Sequence, residues 1–322
     1  MLALRPFESS HVPGLLALWS RRWGRTFPLE DALWRQNTAG DPRHFHTDRC
    51  WVVHTDETVV GGLALKVPDD PPAWTGQEPR HGWISFLLVE PDREEEIAPM
   101  LLECALGWMR GHGLRRISYG GDPSHFFPGA PEDDPALGVA LKAAGLRPGG
   151  VMHDLLGDLR QAFAPEDAER ALPPAGATIE PCTSGDVPAL LRFVGREFPG
   201  RWAYETEQRL QVEPAPADVL IIKGRVDVIG FCHVYHQGSR RIGPSIYWRE
   251  AIGGRYGGLG PIGVDRAHRG RGLGRALLAF ALKHLRRGGV EHAVIDWTTL
   301  VEYYGRFGFQ IWRTYRSWSR DL

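Results

Sequence analysis

The chain has little cysteine and almost no net charge. Its 322 residues include four scattered cysteines and no C-x-x-C pair: Cys50, Cys104, Cys182 and Cys232. This pattern argues against a disulfide framework or a zinc site and suits a reducing compartment. The net charge of −1 provides no general attraction to nucleic acid or to an anionic membrane. We therefore expect no metal, no nucleic acid and no membrane among its partners.

Long apolar runs are also missing. No stretch reaches the ~18 uninterrupted apolar residues that a membrane span needs. The N-terminal stretch MLALRPFESS lacks the basic start and apolar centre of a signal peptide. The apolar share of 43% and the charged share of 24% are ordinary for a globular protein. Together these observations predict a cytoplasmic protein.

The chain contains a diverged internal repeat. Leu4–Leu18 (LRPFESSHVPGLLAL) resembles Ile179–Phe193 (IEPCTSGDVPALLRF), which lies 175 positions further on. Leu101–Gly113 resembles Leu277–Gly289 at almost the same spacing, 176 positions. A constant spacing over so long a stretch indicates two copies of one fold. We predict domains at 1–158 and 177–322, joined by a Pro- and Ala-rich linker at 159–176.

Each copy has the same order of predicted elements. A short strand leads into an amphipathic helix, for which Ser184 or Asp186 is the predicted cap in the second copy. A hairpin, a third strand, a long helix, another strand, a short helix and one or two final strands follow. This order predicts an α/β or α+β fold, with a sheet covered by helices.

A glycine- and arginine-rich stretch, Gly260–Arg275 (GPIGVDRAHRGRGLGR), separates a strand pattern from a helical pattern that begins at Leu273. The first N–H groups of a helix are unpaired and carry partial positive charge. Glycine lets an anion approach them closely, and arginine adds permanent charge. The stretch therefore indicates a phosphate-binding loop, although neither G-x-G-x-x-G nor a closing Gly-Lys-Ser/Thr is present.

The two copies differ at two positions that carry chemistry. The first copy has Glu94, Glu95 and Glu96 where the second has glycine and arginine, and carboxylates repel a phosphate. Tyr304 of the second copy corresponds to Leu141 of the first. Because both changes occur in the same copy, we expect only the second copy to bind a phosphate-bearing ligand, with Tyr304 acting on it.

Residues 177–322 resemble a GNAT N-acetyltransferase domain. Arg269–Gly274 matches the family's R/Q-x-x-G-x-G/A loop, and Tyr304–Phe309 matches its Y-x-x-x-G-F ending. Residues 1–158 resemble the same fold in degenerate form. The resemblance implies two tandem acyl-CoA N-acyltransferase folds, each with a mixed, mostly antiparallel sheet flanked by helices.

The resemblance also implies acetyl-CoA as the acyl donor and Tyr304 as the general acid that protonates the leaving thiolate. Val264 would offer backbone groups to the acetyl or pantetheine arm, and the loop would hold the pyrophosphate. The implied donor-binding residues are Ile262, Gly263, Val264, Arg269, Gly270, Arg271, Gly272, Leu273, Gly274 and Arg275.

The sequence departs from the family at two places. An asparagine that many members carry seven residues before the tyrosine is Trp297 here, and Leu259–Gly263 lacks the acidic residue that many members use as a base. Asp296 is our first candidate for a general base, followed by Glu250 and His233. Water is a further alternative.

Aromatic and charged side chains stand together where this fold places its acceptor, at Arg201, Trp202, Trp248 and Glu250. Aromatic faces pack against sugar rings and hold cations. We therefore expect a primary amine of a small molecule as acceptor, with an amino sugar favoured. A non-catalytic acyl-CoA sensor and a peptide or protein N-acetyltransferase are the alternatives. A monomer and a homodimer are both compatible with the sequence.

Overall fold

A computed structural model describes residues 1–56, 58–67, 80–161, 177–213 and 216–322. The described chain divides into two compact units. The first contains the residues up to Met152 together with Arg313–Leu322, and the second contains His153–Trp312. Most of the predicted linker, 162–176, lies outside the described residues.

The strands follow the order that the repeat predicts. In chain order they are β1 (Leu2–Pro6), β2 (Phe45–Thr55), β3 (Thr58–Lys66), β4 (His81–Val89), β5 (Arg116–Tyr119), β6 (Ala130–Pro131), β7 (Arg147–Asp158), β8 (Thr178–Pro181), β9 (Val219–Lys223), β10 (Val228–His236), β11 (Tyr256–Val264), β12 (His292–Thr298) and β13 (Gln310–Asp321).

The helices alternate with these strands. They are α1 (Val12–Trp23), α2 (Asp31–Asn37), α3 (Glu94–Gly111), α4 (Pro135–Ala143), α5 (Val187–Glu197), α6 (Arg201–Val212), α7 (Arg249–Ile252), α8 (Leu273–Arg287) and α9 (Val301–Gly305). None of the helices in the described ranges combines the length and apolarity that a membrane crossing requires.

Both units have the same sheet plan. In the first unit, β1, β2, β3 and β4 pair antiparallel in sequence, and β4 pairs parallel with β5. In the second unit, β8, β9, β10 and β11 do the same, and β11 pairs parallel with β12. The predicted mixed, mostly antiparallel sheet flanked by helices is confirmed in each unit.

The last strand of each sequence copy belongs to the other copy's unit. The final residues of β7 pair antiparallel with β12 in the second unit, and the final residues of β13 pair antiparallel with β5 in the first. Leu159, which we assigned to the linker, is 1% exposed and packs in the core of the second unit. The structure therefore differs from the predicted boundaries at 158 and 177. The reason is strand pairing: β12 hydrogen-bonds to β7 from the first copy, and β5 hydrogen-bonds to β13 from the second.

The entry into the first helix of the second copy agrees with the prediction in the position of the cap residue, which is Asp186. A 3-10 turn, Ser184–Asp186, precedes α5, and Thr183 is its N-cap residue. The Asp186 carboxylate accepts a hydrogen bond from the Thr183 backbone N–H at 3.0 Å. This is a capping box, in which cap and third residue satisfy each other's backbone donors. Asp186 thus caps α5 by position, while its side chain bonds back to Thr183 and makes no cap hydrogen bond to α5, and Ser184 lies inside the turn.

Candidate active site

The candidate site lies where β11 and β12 separate. Their parallel pairing ends at Leu259 and Ile295. Beyond this point β11 bulges, with Gly260 and Pro261 opposite the single residue His233 of β10. Bulges break a ladder locally and redirect the backbone, and they are common beside active sites. The separation opens the sheet at the carboxyl ends of two parallel strands.

A cavity of about 300 Å³ fills this opening. Its walls combine apolar and polar surface in similar shares, and a few charged groups converge on one space. The described residues that line it are Arg201, Trp202, Glu205, Pro244, Leu259, Gly260, Pro261, Ile262, Ile295, Asp296, Trp297, Thr298, Thr299, Leu300 and Tyr304.

Asp296 provides a carboxylate at the point of separation. Its Oδ1 is buried and has no hydrogen-bond partner among the described residues. A Cβ on Gly260, whose φ is 143°, would come within 2.7 Å of this oxygen, so only glycine fits beside it. Burial, and then the negative charge of Asp154, raise the pKa of Asp296 to about 8. The carboxyl therefore exchanges its proton near neutral pH.

Tyr304 faces the same cavity from α9. The side chain is 6% exposed, and its ring belongs to the core of the second unit. Burial, with smaller contributions from Tyr303, Cys232 and Asp296, raises the pKa of its hydroxyl well above the ordinary value. The phenol therefore keeps its proton over the whole physiological range and is available as a proton donor.

One wall of the cavity is a charged and aromatic arrangement on α6 and β12. The Arg201 guanidinium carbon lies 4.2 Å from the centre of the Trp297 ring, a cation–π distance. Arg201 also donates to Glu205 at 3.0 Å, one helical turn further along. Trp202 lies beside them and contacts Phe198, with ring centres 4.9 Å apart. Two of the predicted acceptor residues, Arg201 and Trp202, thus line the cavity.

The glycine- and arginine-rich loop lies directly before α8. Gly270 and Gly272 have φ values of 75° and 78°, which side-chain-bearing residues rarely adopt. Gly272 is the N-cap of α8, whose first turn contains no acidic residue and no side-chain cap. No atom of the described residues lies within 4 Å of a Cβ built on Gly270. The start of this 15-residue helix is therefore a place where an anion can approach backbone N–H groups.

Not every predicted donor-binding residue is free for that role. The Arg269 side chain donates through Nε to the Val264 carbonyl at 3.0 Å, so these two residues hold the loop against the strand end. A Cβ on Gly263 would collide with the ring of Phe198 at 2.5 Å, and this packing accounts for the glycine. Leu273 is 2% exposed, so its side chain serves the core. Ile262 lines the cavity.

The remaining positions of the loop are more open. Arg271 is exposed and Arg275 is partly exposed, both close to the start of α8. A Cβ on Gly274 would approach the Tyr303 hydroxyl and Val264 no closer than 3.9 Å. The loop thus combines cationic side chains with room for a ligand.

Three sequence candidates lie away from the cavity lining. Trp248 is 3% exposed and Glu250 is exposed, and neither is among the lining residues. Packing accounts for the tryptophan, whose ring centre lies 6.2 Å from that of Tyr247. His233 is fully buried, and its Nε2 lies 3.2 Å from the Thr206 hydroxyl. Burial moves the pKa of His233 well below its ordinary value, so its ring stays neutral.

The first unit fills the corresponding position with its own side chains. Arg22 donates to the Val89 carbonyl at 2.9 Å and to Glu94 at 2.7 Å. Its other nitrogens form a two-point contact with Asp134 at 2.8 and 2.9 Å. Leu141, the counterpart of Tyr304, is completely buried. The end of β4 and the start of α3 are therefore engaged in ion pairs, where the second unit has an open loop.

The comparison with known proteins identifies the family. The sequence pattern of the acetyltransferase (GNAT) family matches residues 14–127 and 187–309. The chain belongs to this family, and the predicted tandem arrangement of two family regions is confirmed. The family resemblance that the sequence motifs predict is thereby confirmed.

Several relatives share this assignment. A mycothiol acetyltransferase of Saccharopolyspora erythraea is 32% identical over 157 residues, which cover 46% of this chain and 48% of the relative. The chain thus spans about half the length of that relative. A mycothiol acetyltransferase of Acidothermus cellulolyticus is 26% identical over 272 residues, covering 78% and 77% of the two chains.

Two solved structures share the fold. A fungal GH3 β-N-acetylglucosaminidase contains a region described as a GCN5-related glucosamine N-acetyltransferase. It matches with a TM-score of 0.85 and 22% identity, over 99% of this chain and 38% of that one. A tandem GNAT protein from the clavulanic acid biosynthesis pathway matches with a TM-score of 0.64 and 20% identity, over 100% and 98%.

Sequence reasoning missed two charged residues of the site. Glu205 follows Arg201 by four residues on one helix face, so the i,i+4 spacing of opposite charges is a signal that would have indicated this pair. Asp154, whose charge acts on Asp296, comes from β7. No local pattern indicated it, because β7 is the last strand of the first copy in sequence while its final residues pair in the second unit.

Proposed function

We propose that the second unit transfers the acetyl group of acetyl-CoA to a primary amine of a small molecule, with an amino sugar favoured. One observation carries this proposal: Asp296, whose pKa is raised to about 8, and the protonated Tyr304 line the same cavity. A base that titrates near the working pH and an acid that keeps its proton are the two groups that direct amine acetylation requires.

The loop of the second unit is the proposed donor site. The N–H groups at the start of α8, with Arg271 and Arg275 near them, would hold the pyrophosphate. Arg269 would stabilise the loop through Val264. When bound, acetyl-CoA supplies an activated thioester carbonyl to the amine. We propose no donor site in the first unit, since Arg22 and Glu94 fill the corresponding position.

The side chains of the cavity manage two protons. The Asp296 carboxylate accepts one from the acceptor's ammonium group, which makes the nitrogen nucleophilic. The Tyr304 hydroxyl donates one toward the sulfur that departs, and the second proton, which the nitrogen loses once it is acetylated, restores the phenol. Trp202 and the apolar walls exclude water from this transfer, and holding both reactants in one cavity provides much of the acceleration.

The charge of the cavity favours a cationic acceptor. Asp296 and Glu205 face it, and the only basic side chain in its lining, among the described residues, is Arg201, which is already paired with Glu205. Aromatic rings of Trp202 and Trp297 suit the apolar face of a sugar. The names of the similar proteins, mycothiol acetyltransferase and glucosamine N-acetyltransferase, support this choice.

The proposal is tested by measuring free thiol release from acetyl-CoA with glucosamine, glucosamine derivatives, polyamines and peptides as acceptors. Turnover with an amino compound of the first two classes is expected, and mass spectrometry should locate the acetyl group on nitrogen. Tyr304→Phe should lower turnover by about 100-fold or more while acetyl-CoA affinity is unchanged. Unchanged turnover in this variant would exclude the general-acid role.

Other results of the same assays would favour the alternative functions, an acyl-CoA sensor or a peptide N-acetyltransferase. Acetyl-CoA binding without turnover on any amine would favour a sensor. Faster acetylation of peptides than of amino sugars would favour a peptide N-acetyltransferase. Absence of acetyl-CoA binding would remove the transferase proposal.

A further inference from the structure

We propose that Asp154 is a positioning residue of this site: its carboxylate fixes the turn that presents Asp296 to the cavity and places a second acidic group behind it. The inference deepens the proposed function and rests on it for its catalytic meaning. The physical coupling between the two carboxylates, however, can be measured whether or not the protein turns over a substrate.

The first support is the pairing of β7 with β12. Ile295 pairs with Leu155 and Thr298 pairs with His153, so the register shifts between them. Asp296 and Trp297 therefore lie together opposite the single residue Asp154. This is a β-bulge, in which two residues of one strand face one residue of its neighbour.

The second support is what Asp154 does at the bulge. Its Oδ1 accepts the backbone N–H of Trp297 at 3.0 Å. Trp297 has a φ of 45°, an unusual conformation for a residue with a large side chain. A bulge leaves a backbone donor without its ladder partner, and here a buried carboxylate provides the acceptor. Asp154 is only 4% exposed, so water cannot easily replace it.

The conformation of Trp297 in turn arranges the cavity wall. The backbone turn directs Asp296 toward Gly260, where its Oδ1 is buried. It also places the Trp297 ring 4.2 Å from the Arg201 guanidinium carbon. One side chain outside the cavity lining thus holds both the proposed base and the aromatic surface beside it.

The third support is electrostatic. The charged groups that act on Asp296 come from two elements: Asp154 on β7, and Arg201 and Glu205 on α6. Asp296 in turn raises the pKa of Tyr304 on α9. After burial, Asp154 is the largest cause of the raised pKa of Asp296, and Arg201 opposes it. Arg201 shares its charge with Glu205, which weakens that opposition. The negative charge on Asp154 therefore makes Asp296 a stronger base than an ordinary carboxylate.

Asp154→Asn separates charge from geometry. The amide oxygen of asparagine can still accept the Trp297 N–H, so the turn is kept while the negative charge is lost. In the active enzyme, the ascending limb of the kcat/KM–pH profile should move to lower pH by about one unit or more. At pH 6 the variant should then retain about tenfold more of its own plateau activity than the wild type does.

Asp154→Leu removes both charge and acceptor. Its kcat should fall at least tenfold at the plateau, whereas the Asn variant should keep most of its plateau activity. Glu207→Gln is the matched control, since it neutralises an exposed carboxylate on the same helix as Glu205 and should leave the limb in place.

A readout independent of turnover distinguishes the two proposals. The stability difference between the wild type and Asp296→Asn is measured by urea unfolding across pH, and then again in the Asp154→Asn background. With Asp154 present, this difference should level off at a pH of about 8. In the Asp154→Asn background, it should level off about one pH unit lower. This shift in a protein without acetyltransferase activity would support the coupling and refute the proposed function. If the enzyme is active but neither the ascending limb nor the pH at which the stability difference levels off moves in Asp154→Asn, the proposed role of Asp154 is wrong.

Discussion

Asp296→Asn is expected to stabilise the protein while removing its activity. Asparagine has the shape of the neutral carboxylic acid, so it fits beside Gly260 as Asp296 does. It cannot accept the proton of an ammonium group. Because the wild-type carboxyl is partly buried near a second carboxylate, the folded chain resists its ionisation, and the substitution removes that penalty.

The size of the effect follows from the pKa of Asp296, which folding raises from 3.8 to about 8. One unit of pKa difference corresponds to about 1.4 kcal/mol. At pH 7 the unfolded chain has lost this proton and the folded chain keeps it. The roughly three pH units between 3.8 and 7 then correspond to about 4 kcal/mol. Because solvent reaches part of the residue, we expect a measured gain of about 2–4 kcal/mol.

The pH dependence has a definite sign. An acid with a raised folded-state pKa has no effect on stability below about pH 4, where both states are protonated. The wild type loses stability, relative to the variant, as pH rises from there to about 8, and the difference is constant above. The variant's advantage should therefore be near zero at pH 4, intermediate at pH 5.5 and full at pH 8.5.

Urea unfolding followed by tryptophan fluorescence measures this difference at the three pH values. Glu207→Gln serves as the control, because its exposed carboxylate should contribute little at any pH. A thiol-release assay on the same preparations should show loss of turnover only in Asp296→Asn. A variant that is less stable than the wild type at pH 8.5, or a difference that does not change with pH, would refute the assignment of a raised pKa to Asp296.

Two further predictions concern the donor loop. Gly270→Ala places a Cβ on a backbone with a φ of 75°, at a cost of about 1–2 kcal/mol, and should weaken acetyl-CoA binding about tenfold by calorimetry. Gly195→Ala in α5, where a Cβ meets nothing within 4 Å, should leave binding unchanged; equal effects of both would argue against a specific role for the loop. Calorimetric titration of the wild type should give one acetyl-CoA site per chain, and a second site would show that Arg22 and Glu94 do not close the first unit.

The duplication, the family and the order of elements were readable from the sequence, because each depends on local signals. Strand and helix periodicities repeat at nearly constant spacing, and the glycines at 270 and 272 mark backbone conformations that other residues avoid. The contrast between Tyr304 and Leu141 required only an alignment of the two copies. Asp296 was selected by its place at a strand end, and the structure puts it in the cavity with Tyr304.

Other features were decided only by the tertiary structure. Whether an aromatic residue lines a cavity or fills a core depends on its packing, so Trp202 lines the site while the similar Trp248 is buried elsewhere. The domain boundaries and the meeting of Asp154 with the Asp296 turn depend on which strand edge each final strand joins. That choice is made by backbone hydrogen bonds between residues far apart in the chain, and backbone groups are the same in every residue. The sequence alone therefore determined the fold type and the candidate acid and base, and strand pairing decided which carboxylate stands behind the base.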